Sequence, residues 1–177
     1  LAAGNTVVIK PSELTPYATE HFAELVRAAG IPDGVVNVLP GTAEAGEALV
    51  RNPDVQKISF TGGPVAARKI LAACAETLKP AVLELGGKSA SIVFPDADLD
   101  AVAFIATASV HQTLAGQGCA LGTRLIVHED AYDALAAKVV EFTQAITLGD
   151  PFDPSSGMGP VVSRAAQERI VGMIDRA

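Results

Sequence analysis

Four short apolar runs alternate with longer segments of helical spacing. That alternation constrains the fold more than any other feature of the chain. Thr6-Val7-Val8-Ile9, Val35 to Leu39, Val55 to Phe60 and Ala81 to Leu85 read as buried strands. Between them, helices are predicted over 17–29, 44–51 and 65–77, the first ending at Gly30, a usual helix-terminating residue. A turn, Pro11 to Pro16, precedes the first helix, with Ser12 or Thr15 as its cap. The order β-α-β-α-β-α-β predicts an α/β fold with a parallel sheet and crossover helices. Sheets of this kind bind ligands at the carboxyl ends of their strands. Lys10, Thr61-Gly62-Gly63 and Glu84 to Gly87 lie at or just past such ends, and one cleft is expected to collect them.

The register changes after Gly87. Ser89 to Phe94 reads as a strand, Asp98 to Val110 as a helix capped by Asp96 or Asp98, and Leu125-Ile126-Val127 as another strand. From Asp130 an amphipathic helix places Tyr132, Leu135, Val139, Phe142 and Ile146 on one face. A Pro, Gly and Ser-rich loop follows over Asp150 to Pro160, then a helical pattern over Arg164 to Arg176. A domain boundary is expected near Gly87-Lys88, dividing the chain into 1–87 and 88–177.

The 177 residues carry a net charge of −7, with Lys and Arg in no block, which argues against nucleic acid as a partner. No apolar run reaches the roughly 20 residues that span a bilayer. The chain opens at Leu1, without an initiator Met, in residues that read as the end of an element. With 49% hydrophobic residues it reads as an internal piece whose neighbours cover part of its surface. Cys74 and Cys119 show neither zinc spacing nor a redox pair, and a reducing cytoplasm is the expected compartment.

Cys119 follows Gly116-Gln117-Gly118, and Glu84 lies in Leu83-Glu84-Leu85-Gly86-Gly87-Lys88. A thiol among small residues can be reached by substrate, and a carboxylate among glycines can move and activate water. Together they point to covalent catalysis through a thiolate, then base-assisted hydrolysis. The competing readings are a buried inert cysteine and a strand-end glutamate paired with Lys79 or Lys88. If Glu84 acts as the base, its apolar neighbours should strip its solvation. Cys74, on a helix, reads as a small core residue. Gln117 reads as a brace for the loop. Gly86-Gly87-Lys88-Ser89 fails as a phosphate loop because Val82 stands where a glycine is needed. His111 raises a Cys-His hydrolase, which its helical position disfavours.

Taken together these motifs resemble the aldehyde dehydrogenase superfamily, in order and over the whole chain. Lys10-Pro11-Ser12-Glu13 is similar to its cofactor-ribose motif, and Phe60-Thr61-Gly62-Gly63 to its phosphate-proximal turn, where Gly63 replaces the usual Ser. Leu83 to Lys88 is similar to its general-base motif and Gly116 to Cys119 to its nucleophile motif. Gly149-Asp150-Pro151 with Met158-Gly159-Pro160 is similar to a downstream signature.

The resemblance implies a partial Rossmann-like NAD(P)-binding domain followed by the start of the α/β catalytic domain. It implies oxidation of an aldehyde to a carboxylic acid, with Cys119 as nucleophile and Glu84 as base. Lys10, Ser12 and Glu13 would bind the cofactor ribose, and Phe60, Thr61, Gly62 and Gly63 would lie near the phosphates. Gly46, Leu85 and Gly86 would also face the cofactor. Glu13 favours NAD over NADP, because a 2′-phosphate would sit beside a carboxylate, although Lys10 could soften the repulsion and NADP stays open. No metal is implied. The full-length protein would be a homo-oligomer acting on a small aldehyde. Two motifs of the family, an upstream one supplying an oxyanion amide and a later one holding the nicotinamide ribose, are absent from these residues. A relative that passes the thioester to coenzyme A, and a folded but inactive binding module, are the alternatives.

Overall fold

A computed structural model describes the chain from Leu1 to Ala177, save the side chains of residues 111 and 112. The chain divides into two compact units, Leu1–Leu85 and Gly86–Ala177. Both are mixed α/β with small parallel sheets.

In the first unit β1 (Val7–Ile9) pairs with β2 (Val36–Val38), joined by α1 (Tyr17–Ala28). After α2 (Ala43–Arg51), β3 (Ile58–Gly62) pairs with β4 (Ala81–Leu85), joined by α3 (Pro64–Ala75). Each pair is parallel, so each connection must be a crossover, and a helix supplies it. Order along the chain did not settle neighbours across the sheet: the strands ladder as two separate pairs. α1 ends as expected, with Gly30 at φ +73°, its N–H on the carbonyl of Arg27 and that of Ile31 on Val26. This is the paired-bond ending that a left-handed glycine permits. Its start differs from expectation. Pro16 precedes the helix with no side-chain cap, and the Ser12 hydroxyl instead accepts from the Leu14 N–H in a local turn. A hydroxyl already closing its own turn is not free to cap. The core joins α2 and α3 to the second ladder through Val50, Ala73 and Cys74, with Ile58, Ile70 and Ala81 packed against them.

In the second unit β5 (Ala90–Val93) pairs in parallel with β6 (Arg124–Val127). α4 (Leu99–Thr107) and α5 (Glu129–Gln144) cover one face; α6 (Arg164–Ile174) closes the chain. Val93, Ala103 and Leu135 form the core, flanked by Val127, Val139 and Phe142. Tyr132 falls off the expected apolar face and is exposed, while Ala131, four residues before Leu135, is buried. The opposite face of the ladder leaves Ile92 65% and Ile126 49% exposed. Parallel strands are normally covered on both faces, so this side is only half built.

Between the candidate caps of α4, the structure selects Asp98, whose carboxylate accepts from the N–H groups of Asp100 and Ala101. Asp98→Ala should therefore destabilise α4 by about 1 kcal/mol, with Asp98→Asn nearly neutral. Amide hydrogen exchange at Asp100 and Ala101 reports the difference: faster in the alanine variant, unchanged in the asparagine variant.

Candidate active site

The chemistry-bearing residues of the first unit gather at two strand ends. At the first, Lys10 leaves β1 and donates from Nζ to the carbonyls of Pro11 (2.6 Å) and Gly41 (2.7 Å). Its Cδ and Cε lie 3.5 Å from where a Cβ on Gly46 would stand, so its stem crosses α2 at that glycine. Glu13 approaches the same ammonium at 3.8 Å and stays more than half exposed. Lys10, Glu13, Gly41 and Gly46 thus form one cluster. Ser12 adjoins it through its turn.

The second cluster comes from strand register. Parallel pairing sets Phe60 beside Leu83, Thr61 beside Glu84 and Gly62 beside Leu85. Two sequence motifs far apart in the chain thereby become neighbours. Thr61 and Gly62 belong to β3 itself, which corrects the expected turn: the ladder with β4 carries the strand two residues further than Phe60. Gly63 alone is the junction, preceding α3, with Pro64 in the first helical turn. Gly62 has no room for a side chain, since a Cβ there would stand 2.5 Å from Cζ of Phe60. The ring folds back over the glycine, which the sequence pattern did not disclose.

Glu84 is exposed, as are Leu85, Gly86 and Gly87. The burial expected of it is missing, because successive β4 residues point to opposite faces and Leu83 takes the half-buried one. Lys79 does not pair with it; that ammonium donates to the carbonyls of Val50 and Asn52. Among the described residues Glu84 makes no ion pair, with Lys88 or any other cation.

Cys119 belongs to the second unit and is exposed; Cys74, in the first, is 3% exposed and packed in the core. α4 runs into a single wider π-helical turn, Ala108–Gln112, and then into a left-handed stretch at Leu114, Ala115 and Gly116 with φ of 51°, 50° and 75°. Gly118 is compressed as well: a Cβ there would stand 2.8 Å from Cγ of Leu121. A side chain on Gly122 would collide with the Ser91 hydroxyl. A side chain at either position would therefore have to displace Leu121 or Ser91, whereas at Gly116 it would meet backbone, the Val110 carbonyl oxygen. His111, whose hydrolase reading the sequence disfavoured, has its side chain outside the described residues.

A shallow hollow of about 950 Å³ lies elsewhere in the second unit, between the Leu148–Pro151 and Met158–Val161 segments and the start of α6, and contains no candidate nucleophile. Among the described residues there is no cluster of three or more His, Cys, Asp or Glu that would hold a metal ion. No helix of the described residues is long and apolar enough to cross a membrane.

Solved structures of aldehyde dehydrogenases are similar to this chain. The structure of an NAD-dependent aldehyde dehydrogenase from Sinorhizobium meliloti is 40% identical, with a TM-score of 0.92 over 96% of this chain and 34% of that one. PnpE from Pseudomonas sp. WBC-3 is 45% identical, with a TM-score of 0.94 over 98% of this chain and 36% of that one. A gamma-glutamyl-gamma-aminobutyraldehyde dehydrogenase from Burkholderia cenocepacia J2315 is 44% identical, with a TM-score of 0.93 over 98% and 36% respectively. The chain thus spans about a third of the length of these structures. The model of the aldehyde dehydrogenase family matches residues 1–177, and the chain belongs to that family.

Proposed function

We propose that this chain is the central part of an NAD-dependent enzyme that oxidises an aldehyde to a carboxylic acid. Its first unit belongs to the cofactor-binding domain and its second opens the catalytic domain. The observation that carries the reading is the exposed Cys119 at the end of a glycine-built loop, in a chain matched by the family throughout. One similar structure, PnpE, is a complex with nicotinamide adenine dinucleotide.

The residues present suit that cofactor. Glu13 offers an exposed carboxylate to accept hydrogen bonds from ribose hydroxyls, and Lys10 a cation in the same cluster. Gly46 gives the Lys10 stem room to cross α2 beside them. Gly63 and the N-terminus of α3 would offer a pyrophosphate backbone N–H groups, Pro64 excepted. Bound NAD supplies the hydride acceptor. The Cys119 thiolate attacks the aldehyde carbon, forming a C–S bond and a thiohemiacetal; loss of hydride from that carbon leaves a thioester. Glu84 then takes a proton from water, whose oxygen attacks the thioester carbon, and the C–S bond breaks to release the acid and regenerate the thiolate. The Cys119 backbone N–H would donate to the oxyanion of either addition step. The position of Glu84 at the end of β4, exposed and followed by Gly86 and Gly87, supports a base role, and a base is needed for hydrolysis rather than for transfer to coenzyme A.

In the full-length enzyme, Cys119→Ser should lower kcat on the order of 10³-fold or more while Cys74→Ser spares it. Glu84→Gln should lower the steady-state rate about 100-fold yet preserve a first-turnover burst of NADH, since only deacylation needs the base. An unchanged steady-state rate removes Glu84 from that role. Glu13→Gln should raise the preference for NADP relative to NAD about fivefold, the worth of one nearby charge in water. Ratios of kcat/KM for the two cofactors measure it.

A further inference from the structure

We infer that Gln117 is a positioning residue for Cys119: it holds shut the left-handed turn that leads into the nucleophile. The inference rests on the reading of Cys119 as nucleophile. Leu114, Ala115 and Gly116 are all left-handed, yet the first two carry a Cβ, which that conformation presses against the following carbonyl oxygen. Burial does not offset the strain at Leu114, whose side chain is 69% exposed. Gly116 tolerates the conformation, and only glycine fits, because a Cβ there would stand 2.8 Å from the Val110 carbonyl oxygen.

What closes the turn is Gln117. Its backbone N–H donates to the Leu114 carbonyl at 3.1 Å, and its side-chain Nε2 donates to the same oxygen at 3.0 Å. Two donors from one residue thus satisfy the carbonyl of the first strained position. On the far side, the Leu121 side chain lies over the bare backbone of Gly118, 2.8 Å from where a Cβ would stand, beside Cys119. Opening the turn at Leu114 would carry Cys119 and its backbone N–H with it. Strain held in place by such over-determination is characteristic of functional loops. Met at position 117 would fill similar space without donating. Glu would keep the length but, when ionised, set oxygen against oxygen.

The test uses the full-length enzyme. Gln117→Met should lower kcat about tenfold with KM for NAD unchanged, since small displacements of a reacting group are costly. Alkylation of Cys119 by iodoacetamide, followed by peptide mass mapping, should change rate alongside kcat, while Cys74 stays unreacted. Adding Leu114→Gly removes the strain at the position whose carbonyl Gln117 holds and should recover at least half of the lost kcat on a logarithmic scale. If Gln117→Met does not fold, Gln117→Glu should show the same loss at neutral pH. Wild-type kcat in either variant, loss of kcat without any change in Cys119 alkylation, or no recovery in the double variant overturns the inference. Full activity in Cys119→Ser overturns it together with the proposed function. An inactive Cys119→Ser beside a fully active Gln117→Met overturns this inference alone.

Discussion

The parallel register between β3 and β4 is the constraint on which the first unit's chemistry depends. It sets Thr61 beside Glu84 and Gly62 beside Leu85. Side chains alternate along a strand, so a slip of one residue would turn Glu84 to the other face and bury it where Leu83 now sits. The apolar pattern resists that slip, because Ile58, Phe60, Ala81 and Leu83 all take the half-buried positions. Packing thereby fixes the placement of a carboxylate that itself contributes nothing to packing.

The second unit presents its thiol by a different means. No strand end carries Cys119; a sequence of backbone compromises does. One wide helical turn, three left-handed residues and two compressed glycines bring the chain from α4 to the thiol within a dozen residues. Each compromise has a steric counterpart: the Val110 carbonyl against Gly116, Leu121 against Gly118 and Ser91 against Gly122. Of the three, only the contact at Gly116 is with backbone, so a side chain there could not be accommodated by a rotamer change.

Much of this was legible in the sequence, for reasons that differ by residue. Gly30 and Asp98 announce helix ends because their conformational and hydrogen-bonding roles are local. Strand ends are another matter. Val55 looks like a strand residue, but its N–H closes a turn on the Asn52 carbonyl, and β3 begins only where Pro80 offers Ile58 a partner. The same partnership carries Thr61 and Gly62 into the ladder. The exposure of Glu84 was missed because apolar neighbours along a strand do not surround a side chain; they face the other way. Nothing in Leu114 or Ala115 signals positive φ, since neither residue favours it, and only the fold around Gly116 imposes it.

The half-covered ladder of the second unit has a consequence for handling the polypeptide. Ile92 and Ile126 stand on a two-stranded ribbon whose outer rims carry backbone donors and acceptors with no ladder partner on that side. A greasy, flat surface bordered by free amides is what recruits strangers into intermolecular β-structure. Whatever segment covers that face and those rims would therefore close a route to intermolecular pairing as well as complete a core.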